Sequence, residues 1–179
     1  SIYSQQMEYE NKHPELLEKL GKISNIINDS LNELRDLAKT LASNHIQDEG
    51  FIYLLQKEAA RVNDTGICKM QVTAEVDPQM NNTVKSFLLR VLQEFIQNSI
   101  KHAECSTITI TVSSDKDGIS ILAADNGKGF EESILRMKGM GLNNMKRRIQ
   151  LIGGIFNLES SPGNGTAIKI FIDNKKLLA

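Results

Sequence analysis

The 179 residues carry 21 Lys and Arg against 22 Asp and Glu, for a formal net charge of -1. That length allows one domain with a real core plus one further element. The balanced charge excludes a general polyanion binder, so no nucleic-acid partner is expected and any affinity for phosphate must be local.

The first predicted element is one long helix over Glu15–Ala42. Leu16, Leu20, Ile23, Ile27, Leu31, Leu34, Ala38 and Leu41 recur in steps of three and four, with Glu18, Lys22, Asp29, Glu33 and Arg35 on the other sides. Pro14 suits a first helical turn. So narrow a stripe fits packing against another chain's helix, or against the core of its own domain. The polar stretch Ser43–Gly50 reads as a linker, and a short helix follows over Phe51–Asn63, ended by Asn63-Asp64-Thr65-Gly66.

Cys68, Met70, Val72, Ala74 and Val76 alternate with polar residues as in a half-buried strand, which Asp77-Pro78 breaks. Asn82–Ala103 is a second strong helix with Val84, Phe87, Leu88, Val91 and Phe95 on its apolar face. Ile108, Ile110 and Val112, then Ile119, Ile121 and Ala123, mark two strands joined at an Asp117-Gly118 turn. A glycine-rich segment runs from Asp125 to Gly141. The helix Leu142–Ile152 follows and stops at Gly153-Gly154. A last hairpin pairs Ile155–Ser160 with Thr166–Ile172.

The order predicts an α/β chain: a two-layer α/β sandwich with a mixed, mostly antiparallel sheet and helices on one face, preceded by the long helix. Residues 1–44 form one part and 45–179 the other. The cysteines, Cys68 and Cys105, lie far apart in sequence, match no metal-ligand spacing and read as small buried apolar residues. No apolar run approaches the ~18 residues of a membrane span, and no signal peptide is visible. The chain opens at Ser1 without Met and reads as a piece of something longer.

Three elements carry chemistry. Glu94, Asn98 and Lys101 stand at i, i+4 and i+7 on one helix face. A carboxylate, an amide oxygen and a cation so aligned could serve a metal–phosphate group, Mg²⁺ taking one amide oxygen among its hard ligands; they could equally form a solvated polar stripe. Asp125-Asn126-Gly127-Lys128-Gly129-Phe130 follows an apolar strand. Its glycines let backbone approach a ligand, and its carboxylate can accept from an amine; an ordinary Asn-Gly turn would look similar. Gly139-Met140-Gly141-Leu142 opens a helix whose N–H groups attract phosphate, with Lys138, Lys146, Arg147 and Arg148 nearby, or is simply a loop before a helix.

In this order and spacing the three elements resemble the GHKL (Bergerat) ATPase superfamily of histidine kinases, Hsp90-like chaperones, type II topoisomerases and MutL proteins. Glu94–His102 is similar to its N box, Asp125–Phe130 to its G1 box, Gly139–Leu142 to its G2 box and Gly163-Asn164-Gly165-Thr166 to its final glycine-threonine element. Arg90-Val91-Leu92-Gln93-Glu94, Lys101-His102-Ala103 and Gly141–Ile149 ahead of Gly153-Gly154 are similar to bacterial sensor histidine kinases of the nitrate-sensor type, which have a short lid.

The resemblance implies an ATP-binding catalytic domain that transfers the γ-phosphoryl of ATP to a histidine, for relay to a response regulator. It implies Mg²⁺ on Asn98, Glu94 near the metal or the reacting phosphate, Lys101 and His102 beside the phosphates, and Asp125 on the adenine amino group with Thr166 in support. Asn126, Gly127 and Gly129 would line the nucleotide pocket, and Gly139, Gly141 and Leu142 would form the lid end. It further implies a homodimer through the N-terminal helix and the cytoplasmic region of a membrane-associated bacterial sensor.

One departure matters. The family's phosphoacceptor histidine is followed by an acidic residue and a leucine-glycine pair, and no such pattern occurs here: His13 precedes Pro14, His45 lies in the linker and His102 belongs to the N box. The Glu15–Ala42 helix therefore resembles the second helix of the dimerisation hairpin, and the chain alone is expected to bind ATP without phosphorylating itself. The competing readings are an anti-sigma-factor serine kinase, a piece of an ATP-hydrolysing machine, and a degenerate signalling module. The first two fit the Gly141–Ile149 pattern and the long helix poorly. The third fits the intact Asn98, Asp125, Gly127 and Gly129 poorly.

Overall fold

The computed structural model describes residues 49–131 and 140–178, with isolated helical positions at Lys19, Gly21 and Ile27. The chain divides into two units, Ser1–Asn44 and His45–Ala179, and every element below belongs to the second. The expected Glu15–Ala42 helix, apart from those three positions, lies outside the described residues, as do His13, His45, Lys138 and Gly139.

Helix α1 spans Phe51–Asp64 and buries Phe51, Leu55, Ala59 and Val62, one helical stripe. Its first turn has no side-chain cap from Gly50; instead the Ile52 N–H donates to Asp77 Oδ1 at 3.3 Å. Strand β1 (Lys69–Ala74) is an edge of the sheet. Asn63, near the end of α1, pairs with it as a strand would: Asn63 Oδ1 accepts from Met70 N at 2.7 Å and Nδ2 donates to Met70 O at 3.1 Å. Part of a backbone edge that would otherwise be open to another chain is thereby occupied. The strand stops short of Val76, which is exposed.

Helix α2 (Asn82–Asn98) starts at Asn81, whose Oδ1 accepts from Val84 N at 2.8 Å and satisfies one orphan N–H of the first turn. Its buried stripe includes Val84, Leu88, Val91, Leu92 and Phe95. The expected helix to Ala103 is continuous in path but changes type: Ser99–Ala103 is a π-helical turn, closed by Glu104 in the left-handed region at φ 54.

Strands β2 (Thr107–Ser114) and β3 (Gly118–Asp125) are antiparallel. The turn between them is Asp115–Asp117 rather than Asp117-Gly118, because Asp115 Oδ1 accepts from both Asp117 N and Gly118 N. Gly118 is already in the strand, where a Cβ would stand 2.2 Å from Ile172 O. Helix α3 (Met140–Leu151) buries Met145 and Ile149 and ends as the glycines predict. Gly154 N donates to Ile149 O and Gly153 N to Gln150 O, both at 2.9 Å, with Gly153 at φ +71, which is a Schellman closure. Strands β4 (Ile155–Ser160) and β5 (Thr166–Asp173) form the last hairpin. A short helix α4 (Asn174–Leu177), which the sequence pattern did not reveal, buries Leu177, and Leu177 O accepts from Asn81 N at 2.7 Å.

The sheet order is β1-β2-β3-β5-β4, with β1 parallel to β2 and every other pair antiparallel. Ile108, Ile110 and Val112, Ile119, Ile121 and Ala123, and Ile168, Ile170 and Ile172 all point to one face and are buried with the helical stripes in a single core. The alternate residues, including Thr109, Thr111 and Leu122, face away and are exposed. This is the expected two-layer α/β arrangement with a mixed sheet and helices on one face.

Candidate functional site

Strand alternation delivers the site's central carboxylate. Ile119, Ile121 and Ala123 face the helices, so Asp125, two residues on, does too, at the end of β3. Thr166 opens β5 on the same face, ahead of Ile168, and the register pairs it directly with Asp125. Both are buried, 8% exposed each, an unusual place for an aspartate. Its oxygens are partnered: Oδ1 accepts from Gly127 N at 2.8 Å, and Oδ2 lies 2.9 Å from Ser99 Oγ.

Above this floor, α2 supplies Glu94 and Asn98 one turn apart, with Asn98 Nδ2 donating to Glu94 Oε1 at 3.4 Å, which leaves the Asn98 amide oxygen as an acceptor. The start of α3 closes the opposite side. A Cβ on Gly141 would stand 2.7 Å from Glu94 Oε1, so the small residue lets the two helices meet there.

Between them lies a cavity of about 340 Å³, within the range of small-ligand pockets. Glu94, Asn98 and His102 form one polar wall, Asp125, Thr166 and Ser99 the floor, and Ala103, Phe130, Leu142 and Met145 apolar surface, with Phe95, Gly129 and Gly141 completing it. A planar apolar ring with an amine at one edge suits such a lining, and a charged tail suits the polar wall.

The loop after Asp125 is built by close approach. Gly129 has φ +60, and a Cβ there would stand 2.1 Å from Ser161 O. Gly165, at φ +68, would place one 2.0 Å from Asp125 O. Lys128 N donates to Ala103 O at 2.8 Å, and Gly163 N to Lys128 O at 2.7 Å, so the loop is stitched to the π turn on one side and to the β4–β5 turn on the other. The exposed Lys128 Nζ also pairs with Glu104 Oε1 at 2.7 Å, which lowers the Glu104 carboxyl from its ordinary value by hydrogen bonding and charge.

Of the residues singled out from sequence, Glu94, Asn98, His102, Asp125, Gly129, Gly141, Leu142 and Thr166 line this cavity. Three do not. Lys101 is exposed outside it: the π turn winds more loosely than an α-helix, so His102 continues the face set by Glu94 and Asn98 where α periodicity puts Lys101. Asn126 turns its side chain to β2, where Oδ1 accepts from Ser106 N and Thr107 N at 3.0 and 2.9 Å. Gly127 is small for packing, since a Cβ would stand 2.3 Å from Ala103 O. Gly139 lies outside the described residues. Ser99, Met145 and Phe130 line the cavity without having been assigned a role; Phe130 closes the G1-like motif, whereas Ser99 looks like any small residue in a helix.

The two cysteines come together at the starts of the parallel strands β1 and β2. The Cys105 thiol is pushed up to about 11, chiefly by burial, then by the neighbouring Cys68 and by Asp125. Such a thiol is inert, in keeping with a packing role. No group of three or more His, Cys, Asp or Glu able to hold a metal exists among the described residues. None of their helices is long and apolar enough to cross a membrane.

Residues 83–176 match the family described as histidine kinase-, DNA gyrase B- and HSP90-like ATPases. Among curated proteins the chain is similar to the signal transduction histidine-protein kinase/phosphatase DegS of Brevibacillus brevis, 28% identical over 159 residues, 88% of this chain and 41% of that one. DegS of Bacillus subtilis is 40% identical over 86 residues, 46% of this chain and 22% of that one. Sensor histidine kinase LiaS of Bacillus subtilis is 26% identical over 157 residues, 86% and 42% of the two chains. The chain thus spans less than half the length of these relatives. In fold it is similar to the histidine kinase domain of the Erythrobacter litoralis EL346 blue-light activated histidine kinase, with TM-score 0.58, 19% identity and coverage of 73% and 64%. The ATP binding domain of PrrB from Mycobacterium tuberculosis aligns with TM-score 0.54, 22% identity and coverage of 70% and 94%.

Proposed function

We propose, from the premise that this chain belongs to the histidine kinase-, DNA gyrase B- and HSP90-like ATPases, that it is the catalytic region of a sensor histidine kinase and uses the cavity between α2 and α3 to hold ATP. The observation that supports this best is convergence: residues from four separate motifs, Glu94 and Asn98, Asp125 and Gly129, Gly141 and Leu142, and Thr166, line one cavity.

In this reading the adenine lies among Ala103, Phe130, Leu142 and Met145, and its exocyclic amine donates to Asp125. The triphosphate runs toward Glu94, Asn98 and His102 and the first-turn amides of α3. The donor set suits Mg²⁺: the Asn98 amide oxygen and the Glu94 carboxylate are hard oxygen donors, and a magnesium ion that keeps its waters and phosphate ligands needs little more from protein. Bound there with the phosphates, Mg²⁺ would supply charge neutralisation. The residues' own work is positioning, which carries most of the catalysis in phosphoryl transfer. A histidine nitrogen attacks the γ-phosphorus in line, the bond from that phosphorus to the bridging oxygen breaks, ADP leaves with that electron pair, and the phosphorylated imidazolium passes its ring proton to solvent. In this reading Glu94 acts beside the metal or the reacting phosphate.

The attacking histidine belongs to the longer parent protein, a homodimer through its N-terminal helix, with this region in the cytoplasm and a response regulator receiving the phosphate. Incubated with γ-labelled ATP and Mg²⁺, the full-length protein should take up label in an acid-labile, base-stable linkage, and the Asn98→Ala variant should not. The 179-residue chain alone should stay unlabelled. Label on Ser or Thr, or label undiminished by Asn98→Ala, would contradict the assignment.

A further inference from the structure

Asp125 is only as selective as its hydrogen bonds make it, and proton accounting shows what they leave for a ligand. Ser99 is 2% exposed, and its Oγ lies 3.0 Å from Phe95 O and 2.9 Å from Asp125 Oδ2. A hydroxyl has one proton, and an ionised carboxylate is the stronger acceptor. With Gly127 N on Oδ1, both carboxylate oxygens are then held by donors from fixed backbone and a buried side chain. The carboxylate cannot turn, and only lone pairs face the cavity.

The neighbouring Thr166 is set by the same arithmetic. Ser160 Oγ lies 2.8 Å from Gly165 O, receives the Phe130 N–H at 3.0 Å and sits 3.2 Å from Thr166 Oγ1. Gly165 O can only accept, so it takes the Ser160 proton. Thr166 must therefore donate to Ser160, and its remaining lone pairs are what it can show the cavity. The floor made by Asp125 and Thr166 is acceptor-only on its ligand side.

We infer that Ser99 and Ser160 are positioning residues that fix the polarity of this floor, and that through it they select a nucleobase bearing an amine at that edge over one without it. The inference rests on the nucleotide reading of the cavity and deepens it: base choice is enforced by two hydroxyls, one on the π turn and one at the end of β4, neither of which need touch the base. Removing Ser99 frees the Asp125 carboxylate to rotate. Removing Ser160 frees the Thr166 proton to point into the cavity and satisfy a ring nitrogen.

The test compares the affinities of the wild-type chain, Ser99→Ala, Ser99→Thr and Ser160→Ala for Mg²⁺–ATP and for purine riboside triphosphate, which lacks the exocyclic amine, with the thermal midpoint recorded for each. The wild type should prefer ATP by about tenfold or more, since an amine–carboxylate hydrogen bond separates the two ligands. Ser99→Ala should lose most of that preference by weakening ATP alone, and Ser99→Thr, which keeps the hydroxyl, should restore it. Ser160→Ala should narrow the gap from the other side, by improving the amine-free analogue. Equal weakening of both nucleotides, or an unchanged ratio in Ser99→Ala and Ser160→Ala while wild type binds ATP, would overturn the positioning role and leave the ATP pocket standing. Failure of the wild type to bind either nucleotide would overturn both.

Discussion

At the scale of single residues, the loop beside the site rests on two glycines that leave no room for a side chain. Gly129 and Gly165 combine a left-handed backbone with neighbours that leave no room for a Cβ, at 2.1 and 2.0 Å from backbone oxygens. Gly129→Ala should therefore destabilise the domain by about 2 kcal/mol or more, from the strained φ together with the steric shift. Urea unfolding measures this directly, and a loss under 0.5 kcal/mol, roughly what a surface substitution costs, would mean that the loop relaxes freely. Much at this scale was legible from the sequence. Asp125 and Thr166 follow from alternation in β3 and β5, because a period of two leaves no choice of face. Asn126 and Gly127 were legible only as members of a loop motif. That one caps the start of β2 and the other makes room for Ala103 O depends on tertiary neighbours 20 or more residues away. Ser99 was invisible for a different reason: its partner Asp125 is 26 residues distant, and a small polar residue in a helix carries no local signal.

At the scale of elements, glycine stops such as Gly153-Gly154 marked helix ends in the sequence, whereas the cap at Asn81 shows only in the structure. Asn81, whose side chain accepts from Val84 N, starts the helix that carries Glu94 and Asn98. Asn81→Ala should cost about 1 kcal/mol of stability while leaving nucleotide affinity unchanged, because the cap lies more than three turns from Glu94; a shifted affinity in a calorimetric titration would show that the helix start and the site are coupled. The departure that matters most for the site is the end of that helix. Periodicity counts residues at 3.6 per turn, and the π turn at Ser99–Ala103 breaks the count, keeping His102 on the cavity face and leaving Lys101 outside it. Nothing in the residues Ser-Ile-Lys-His-Ala announces the looser winding. It becomes intelligible only with the left-handed Glu104 and the Lys128 N to Ala103 O bond that tie the turn to the following loop. The short α4 escaped for a related reason, since four residues are too few to show a period.

At the scale of the whole second unit, one sheet face and the described helices, the short α4 included through Leu177, enclose a core, and the cavity sits where that core gives out: beside Asp125 at the end of β3 and Thr166 at the start of β5, between α2 and α3. The fold thus places a buried carboxylate beneath an opening between α2 and α3, and under the proposed function the base lies at that carboxylate and the phosphates toward the start of α3. The charge balance of -1 over 179 residues agrees with phosphate affinity that is local. The order of the three motifs made this architecture readable before any contact was known, because they are separated in sequence yet have one reason to converge.

The most direct measurement is a calorimetric titration of Mg²⁺–ATP into the chain beside the Asp125→Ala variant. Binding by the parent chain that is lost in the variant, with the variant still folded by circular dichroism, is the predicted result. No binding by the folded parent chain, or binding of equal strength in Asp125→Ala, would contradict the assignment of this cavity to ATP.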